Sequence, residues 1–229
     1  MPLTTLAFDT ATPAPSLAIV QGSEVVERQI AAQVGAGRRV AEEIHALLVS
    51  AGLTIDDVDR IVVGVGPGGF TGIRIGISTA LGLAQARGLP VVGASTLDTV
   101  ALGMGDAGHG DAVLVPLIDA RRNEVFTAAY RRAGDGVTCV AEARALPVAE
   151  AAAFLSGLGG HVVVAGDGSA RIAQDVLAEA GAVVDAASGV VRAALAVRLA
   201  DGGQGLPVTP IYLRLPDAEV NRRRRAVVS

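Results

Sequence analysis

The residues whose types and spacing best suit chemistry lie in a glycine-rich loop. The loop follows the aliphatic run Ile61 to Val65, which predicts a buried strand, and precedes Thr71 to Arg87, which predicts a helix of about four turns. Unpaired N–H groups and the positive end of the helix dipole point into such a loop, so it can hold an anion. The candidate loop residues are Gly66, Pro67, Gly68, Gly69, Thr71 and Gly72.

The absence of lysine limits what this loop can do. All 19 basic residues of the chain are arginine. A Walker-type phosphate loop needs a lysine followed by Ser or Thr, and Schiff-base catalysis needs a lysine amine. Both classes of chemistry are therefore excluded.

Two aspartates, Asp9 and Asp119, end the first strands of two similar segments about 110 positions apart. Each segment predicts three antiparallel strands, a helix, a strand and a helix, and the later strand of the second segment leads to Gly166 and Gly168. This order resembles that of actin, sugar kinases and Hsp70 ATPases, whose loops hold nucleotide phosphates and a metal. Neither Asp loop contains the glycine that lets backbone approach phosphate. Asp9, Asp119, Gly166 and Gly168 are therefore weak nucleotide candidates, and the alternative is that the aspartates cap strand ends or turns.

Other reactive residues are isolated in the sequence. His45, His109 and His161 have no close partner at chelating spacing, and Ser78 and Ser95 have no recognisable base. Cys139 is expected to be a small buried residue of a strand. We therefore predict no catalytic residue, no metal ligand and no cofactor.

Two helices that flank these loops indicate a protein interface. The helix at 71–87 is apolar on every face, which requires cover on both sides, and the helix at about 38–51 directs Val40, Ile44, Leu47 and Leu48 to its core. One interpretation is a helix buried in its own domain. The other, which we favour, leaves open which face meets a second chain, and its predicted interface residues are Arg38, Ala41, Glu42, His45, Val49, Ile73, Ile77, Ala80, Leu81 and Ala84.

Composition and glycine positions suggest the organisation of the chain. Hydrophobic residues make up 51%, aromatic residues 3%, and the net charge is −4, which argues against a broad nucleic-acid surface. One cysteine and no apolar run of membrane-spanning length predict a cytoplasmic protein without a membrane contact.

The chain is predicted to divide into two subdomains and a C-terminal part. The N-terminal subdomain is 1–105, and the C-terminal subdomain is 106–187, after a Gly103 to Gly110 linker. Residues 188–220 then form a closing helix from Val190 to Leu199 and an extended segment, followed by a basic tail 221–229. Whether Arg222 to Arg225 contact RNA phosphate or remain solvated is left open.

The loop and helix closely resemble a family signature. Gly66 to Gly76 is similar to GPGSFTGLRIG of the bacterial tRNA threonylcarbamoyladenosine biosynthesis proteins called TsaB, formerly YeaZ. Further similar pieces are Leu6 to Thr12, Gly88 to Leu97, Asp119 to Phe126 and Pro210 to Arg214. The chain departs from the family at Gly69, where serine is usual, and near Gly35 to Arg38, where a histidine often begins the first helix.

The resemblance implies a duplicated actin-like (ASKHA) α/β fold and a partner role. Members of the family are non-catalytic paralogues of TsaD, which carries the metal and the transferase site, and they work with the small ATPase TsaE. Together they modify an adenosine beside the tRNA anticodon, so tRNA is an indirect partner, and two N-terminal helices form the dimer contact. The alternative is a degenerate ATPase or a metallopeptidase-like enzyme acting alone. The sequence leaves open whether the isolated chain is a monomer or homodimer, and whether a nucleotide binds at the joint interface.

Overall fold

The computed structural model describes residues 2–31 and 39–214, and each half of this part contains one five-stranded mixed sheet. In the first half, three antiparallel strands are followed by two that run parallel to β1, giving the order β3-β2-β1-β4-β5. The strands are β1 (Thr4–Asp9), β2 (Ser16–Gln21), β3 (Glu24–Gln29), β4 (Arg60–Gly64) and β5 (Val91–Ala94).

The second half repeats this plan with the order β10-β9-β6-β7-β8. β6, β7 and β8 are antiparallel, and β9 and β10 add parallel to β6. The strands are β6 (Val113–Arg121), β7 (Glu124–Ala133), β8 (Gly136–Pro147), β9 (Val162–Ala165) and β10 (Ala182–Val184). The predicted duplicated α/β fold is thus confirmed.

Six α-helices within the described residues cover these sheets. They are α1 (Val40–Ser50), α2 (Phe70–Arg87), α3 (Thr96–Asp106), α4 (Ala151–Gly157), α5 (Gln174–Glu179) and α6 (Ala193–Leu199). Side-chain alternation along β1 assigns Leu6 and Phe8 to the face covered by α1 and α2, and Ala7 to the face covered by α6. α4 and α5 cover the outer face of the second sheet, while α3 and α6 lie between the sheets.

The predicted Gly103 to Gly110 linker is wrong in its first part, because Gly103 and Gly105 belong to α3, whereas Gly108 and Gly110 lie in the turn that follows it. A Cβ on Gly103 would come within 3.2 Å of the Leu195 Cδ1 atom, so a small residue lets α6 pack close to α3. The predicted division after residue 105 therefore falls in the last turn of a helix whose apolar residues pack in the core of the second half.

The end of the described chain closes on the first half. The predicted helix from Val190 is shorter and begins at Ala193, where Glu27 accepts a hydrogen bond from the Ala194 N–H group. After a π-helical turn, Leu206 pairs with Gly93 and the Ile211 N–H group donates to the Val65 carbonyl. The predicted tail 221–229 and Arg38 lie outside the described residues.

Candidate functional site

The glycine-rich loop is packed against the chain's own backbone. The Gly69 N–H group donates to the Ala11 carbonyl at 2.7 Å, and the Thr10 hydroxyl donates to the Gly72 carbonyl at 2.7 Å. A Cβ on Gly72 would lie 2.0 Å from the Thr10 carbonyl oxygen, and one on Gly68 would lie 2.3 Å from that of Ala11. The glycines are therefore needed for close contact with the segment that follows β1. Pro67 is buried beside them, and Thr71 is exposed in the first turn of α2.

Gly66 has a different role within the same loop. Its φ of 95° lies in the region that favours glycine, and a Cβ there would meet the Ile73 side chain at 2.6 Å and the Ile211 carbonyl oxygen at 3.1 Å. The loop consequently joins three parts of the chain: β4, α2 and the closing segment that contains Ile211.

Asp9 is buried and satisfied by groups of the same chain. One carboxylate oxygen accepts from the Ala11 N–H group and the other from the Thr96 hydroxyl, each at 2.7 Å. Burial raises the pKa of Asp9, although these two hydrogen bonds act in the opposite direction. Asp9 therefore caps its own turn and fixes the first residue of α3.

Asp119, the corresponding residue of the second half, is paired with an arginine. Its carboxylate accepts from the Arg121 N–H group at 2.8 Å and from Arg171 at 2.7 Å. Partial burial acts to raise the pKa of Asp119, but the hydrogen bonds from Arg171 and from the Arg121 N–H group, together with the charges of both arginines, hold that pKa below its usual range. Sequence reasoning missed Arg171, which is separated from Asp119 by 52 positions.

Gly166 and Gly168 follow β9 and contact the end of β6. A Cβ on Gly166 would lie 2.1 Å from the Leu117 carbonyl oxygen, and one on Gly168 would meet the Leu117 and Ile118 backbone at 2.9 Å. Between them, the Asp167 carboxylate accepts from the Asp119 N–H group at 3.1 Å. The structure thus brings the Asp119 loop together with Gly166 and Gly168.

A cleft of about 280 Å³ separates the two halves near these loops. Its lining is mainly apolar, with Asp167 as its one ionisable side chain and no arginine among the described residues that form it. A polyphosphate entering the cleft would therefore meet a carboxylate rather than a cation. The lining consists of Thr12, Pro13, Ala14, Val100, Ile118, Gly166, Asp167, Ser169, Ala186, Gly189, Val190 and Val191.

The helix pair α1 and α2 presents a surface that differs in part from the predicted one. The predicted core residues of α1 are buried, and its predicted interface residues Ala41, Glu42, His45 and Val49 are exposed. On α2, Leu81 is 47% exposed. Four other residues predicted for the interface are instead buried in the core of the first half: Ile73, Ile77, Ala80 and Ala84.

The error has a physical cause. Small and apolar residues occupy every side of α2, so its sequence does not distinguish the side that packs on β1 and β4 from the side that faces solvent. The structure places Thr71, Arg74, Ser78, Leu81 and Gln85 on the exposed side, at the spacing of one helix face. Any second chain that contacts α2 would meet this side.

An aromatic and arginine cluster at the start of α2 was not anticipated. The Arg74 guanidinium carbon lies 3.9 Å from the Phe70 ring centroid, and its Nε donates to the Tyr212 hydroxyl at 3.0 Å. The Phe70 and Tyr212 rings are 4.9 Å apart. The 138 positions between Arg74 and Tyr212 leave no local pattern from which to predict the contact.

Other predicted features can be placed directly. Cys139 is exposed on β8, contrary to the expectation of a buried residue, because β8 is the edge strand of the second sheet and is exposed on both faces from Thr138 to Val140. His109 pairs with Asp185 at 2.7 Å. In residues 2–31 and 39–214, no group of three or more His, Cys, Asp or Glu side chains is arranged to hold a metal ion, and no helix is long and apolar enough to cross a membrane.

A family model described as TsaD, tRNA N6-adenosine threonylcarbamoyltransferase, matches residues 31–196. The chain belongs to this family. It is also similar to TsaB of Escherichia coli, with 38% identity over 132 residues that cover 58% of this chain and 57% of that protein. TsaB of Bacillus subtilis is 32% identical over 130 residues, 56% of each chain. The resemblance to TsaB is thereby confirmed.

Three longer matches extend over nearly the whole chain. An uncharacterized protein of Mycobacterium tuberculosis is 36% identical over 221 residues, 94% of each chain. The structure of YeaZ from Pseudomonas aeruginosa superposes with a TM-score of 0.73 and 28% identity, covering 92% of this chain and 100% of that one. A second structure from that organism, described as similar to peptidase YEAZ, has a TM-score of 0.74 and 29% identity, covering 93% of this chain and 100% of that one.

Proposed function

We propose that this TsaB-like chain is a non-catalytic subunit in the biosynthesis of threonylcarbamoyladenosine in tRNA. It binds a TsaD-like catalytic paralogue through α1 and α2, and it activates that paralogue. The pathway is supported by the TsaB names of the curated relatives and by the family model. In this proposal a TsaE-like ATPase is a further partner, tRNA is contacted through the complex, and the complex is cytoplasmic.

The observation that carries the non-catalytic role is the engagement of both Asp loops by the chain itself. Asp9 holds Ala11 and Thr96, whereas Asp119 is paired with Arg171. A carboxylate that already accepts hydrogen bonds from fixed donors, or is neutralised by a guanidinium group, offers less to a metal or to a phosphate-bound cation. The chain thus retains the fold of nucleotide-binding relatives while using these positions for its own packing.

The exposed sides of α1 and α2 support the partner role. Val49 is 61% exposed and Leu81 is 47% exposed, and the two helices lie next to each other. Burying large apolar side chains against a second chain removes their surface from water, which favours association. The same surface would explain self-association when the partner is absent, since a two-fold pairing covers one patch on both copies.

Charge substitutions on this surface test the pairing. We expect Val49→Glu and Leu81→Glu each to weaken binding to the TsaD-like paralogue by about tenfold or more, because each places a charge in a packed apolar contact. The matched control is Val183→Glu, since Val183 is 51% exposed on β10 in the other half. Affinities are measured by calorimetry, with circular dichroism to verify the fold. Equal affinities for Leu81→Glu, Val49→Glu and Val183→Glu would refute the pairing surface.

The alternative of an ATPase acting alone makes a separate prediction. Nucleotide bound between the halves would slow hydrogen exchange at the backbone amides near Asp9, Asp119 and Gly166 to Gly168. We expect no ATP-dependent change in exchange at these amides. A reproducible slowing confined to them would favour the enzyme alternative.

A further inference from the structure

The exposed face of α2 carries a pre-positioned arginine. Arg74 is exposed, its guanidinium group lies over the Phe70 ring, and its Nε is held by the Tyr212 hydroxyl. Its two terminal nitrogens have no hydrogen bond or ion pair within residues 2–31 and 39–214. A guanidinium group fixed on an aromatic ring loses less conformational entropy when it binds a planar anion than a freely rotating one.

The support for Arg74 comes from a distant part of the chain. The Ile211 N–H group donates to the Val65 carbonyl at 2.8 Å, and the absence of a side chain on Gly66 lets the Ile211 carbonyl approach. These contacts anchor the residue before Tyr212 to the loop that begins α2. The glycine-rich loop therefore fixes both members of the contact, Arg74 on the helix and Tyr212 on the closing segment.

Arg74 lies on the same face of α2 as the apolar residue proposed to meet the partner. The exposed positions 71, 74, 78, 81 and 85 follow helical spacing, so Arg74 and Leu81 are two turns apart along one stripe. Arginine and aromatic side chains beside an apolar centre form the usual composition of interface hot spots. The cluster therefore extends the surface that contains Leu81.

The charge of the partner group follows from the surface itself. The exposed side of α1 carries Glu42, and the exposed Arg39 at its N-cap is paired with Glu43, so the helix pair has an acidic part on α1 and a basic part on α2. When two chains of one fold pair about an approximate two-fold axis, a contact of α2 with α1 of the other chain occurs twice, once on each side of the axis. In that arrangement the basic part of one surface faces the position of the acidic part on the other.

We infer that Arg74, held by Phe70 and Tyr212, binds a carboxylate of the TsaD-like paralogue and anchors one end of the interface. This inference rests on the proposed function and adds a residue cluster and the chemistry of its partner group. Arg74 provides two N–H donors to the two oxygens of the carboxylate, the geometry in which arginine binds such groups most strongly.

The test compares two arginines of α2. We expect Arg74→Ala to weaken binding to the purified paralogue by at least about tenfold and to reduce the salt dependence of the dissociation constant. Tyr212→Phe, which keeps the ring but removes the acceptor for Arg74 Nε, should weaken binding by about threefold. The matched control Arg87→Ala removes an exposed arginine that pairs with Asp56, and should change affinity less than twofold.

Each outcome separates this inference from the proposed function. If the wild-type complex forms and Arg74→Ala binds like Arg87→Ala at every salt concentration, the carboxylate contact is wrong and the pairing stands. Weakened self-association with unchanged binding to the paralogue would assign the cluster to a second copy of this chain and overturn the inference. Absence of any wild-type complex would overturn both proposals. Unchanged thermal melting of the variants shows that the fold is intact.

Discussion

At the scale of single residues, Asp9 and Asp119 show how the same position can be stabilised in two ways. Asp9 is buried and accepts hydrogen bonds from neutral donors, whereas Asp119 is closer to solvent and is paired with Arg171. Their pKa values consequently move in opposite directions, up for Asp9 and down for Asp119. Both residues contribute to structure through groups of their own chain.

The raised pKa of Asp9 predicts a specific pH dependence of stability. The folded protein binds the Asp9 proton more tightly than the unfolded chain, so the free energy of unfolding should fall as pH rises from about 3.8 through the folded pKa. Asp9→Asn removes this titration while keeping an acceptor for the Ala11 N–H group. Its stability should therefore change less over that range than the wild-type stability does, as measured by urea unfolding at successive pH values.

Asp9→Ala serves as the comparison for this experiment. It leaves the Ala11 N–H group and the Thr96 hydroxyl without their buried acceptor, which should cost about 2 to 4 kcal/mol at neutral pH. A wild-type pH profile that matches the Asp9→Asn profile would contradict the buried, titrating carboxyl group. Equal stability of Asp9→Ala and wild type would contradict the proposed capping role.

The sequence predicted individual residues unevenly. The two aspartates at strand ends follow from the repeat, because strand-end position is a local property. The partners of these residues, Thr96 and Arg171, lie 87 and 52 positions away and depend on the tertiary fold. The Arg74 and Tyr212 contact was missed for the same reason.

At the scale of elements, the glycines of α2 differ in whether other atoms of the chain lie close to them. Gly72 faces the Thr10 carbonyl, whereas nothing lies within 4 Å of a Cβ on Gly82. The two residues have the same type and the same helix but different surroundings. Replacing each of them with alanine therefore distinguishes the effect of packing on stability from the effect of intrinsic helix propensity.

We expect Gly72→Ala to destabilise the protein by about 1 to 3 kcal/mol, because the new methyl group overlaps the Thr10 backbone. Gly82→Ala should stabilise it by about 0.5 to 1 kcal/mol, the usual gain from alanine over glycine in a helix. Urea unfolding midpoints of the two variants provide the comparison. A Gly72→Ala variant as stable as Gly82→Ala would show that the start of α2 does not pack against Thr10 as described.

The helices also show where periodicity is informative. α1 has a clear apolar face, so its buried and exposed sides were both predicted correctly. α2 has apolar or small residues all around, so Ile73 and Ile77 were assigned to an interface although they are buried in the chain's own core. Ile77→Glu would place a charge in the core of the first half and destabilise the protein, whereas Leu81→Glu alters only the exposed side.

At the scale of the whole molecule, the two halves are joined by more than the chain connection. α3 and α6 lie between the sheets, and Glu27 of β3 holds Arg192 and the start of α6. Asp98 of α3 accepts from the Tyr130 hydroxyl of β7 at 2.6 Å. The duplicated fold was predictable from the repeated order of strands and helices. The position of α3 between the sheets was not predictable, because α3 contains the glycines that suggest a linker.

The central claim is that this chain activates a separate transferase through α1 and α2. The most direct measurement is the rate of threonylcarbamoyladenosine formation in tRNA by the purified TsaD-like paralogue and the TsaE-like ATPase, as this chain is titrated in. We predict that the wild-type chain raises the rate until it saturates near one copy per paralogue, and that the Val49→Glu, Leu81→Glu double variant needs at least about tenfold more protein. A rate that is unchanged by the wild-type chain, or raised equally by the double variant, would contradict the account.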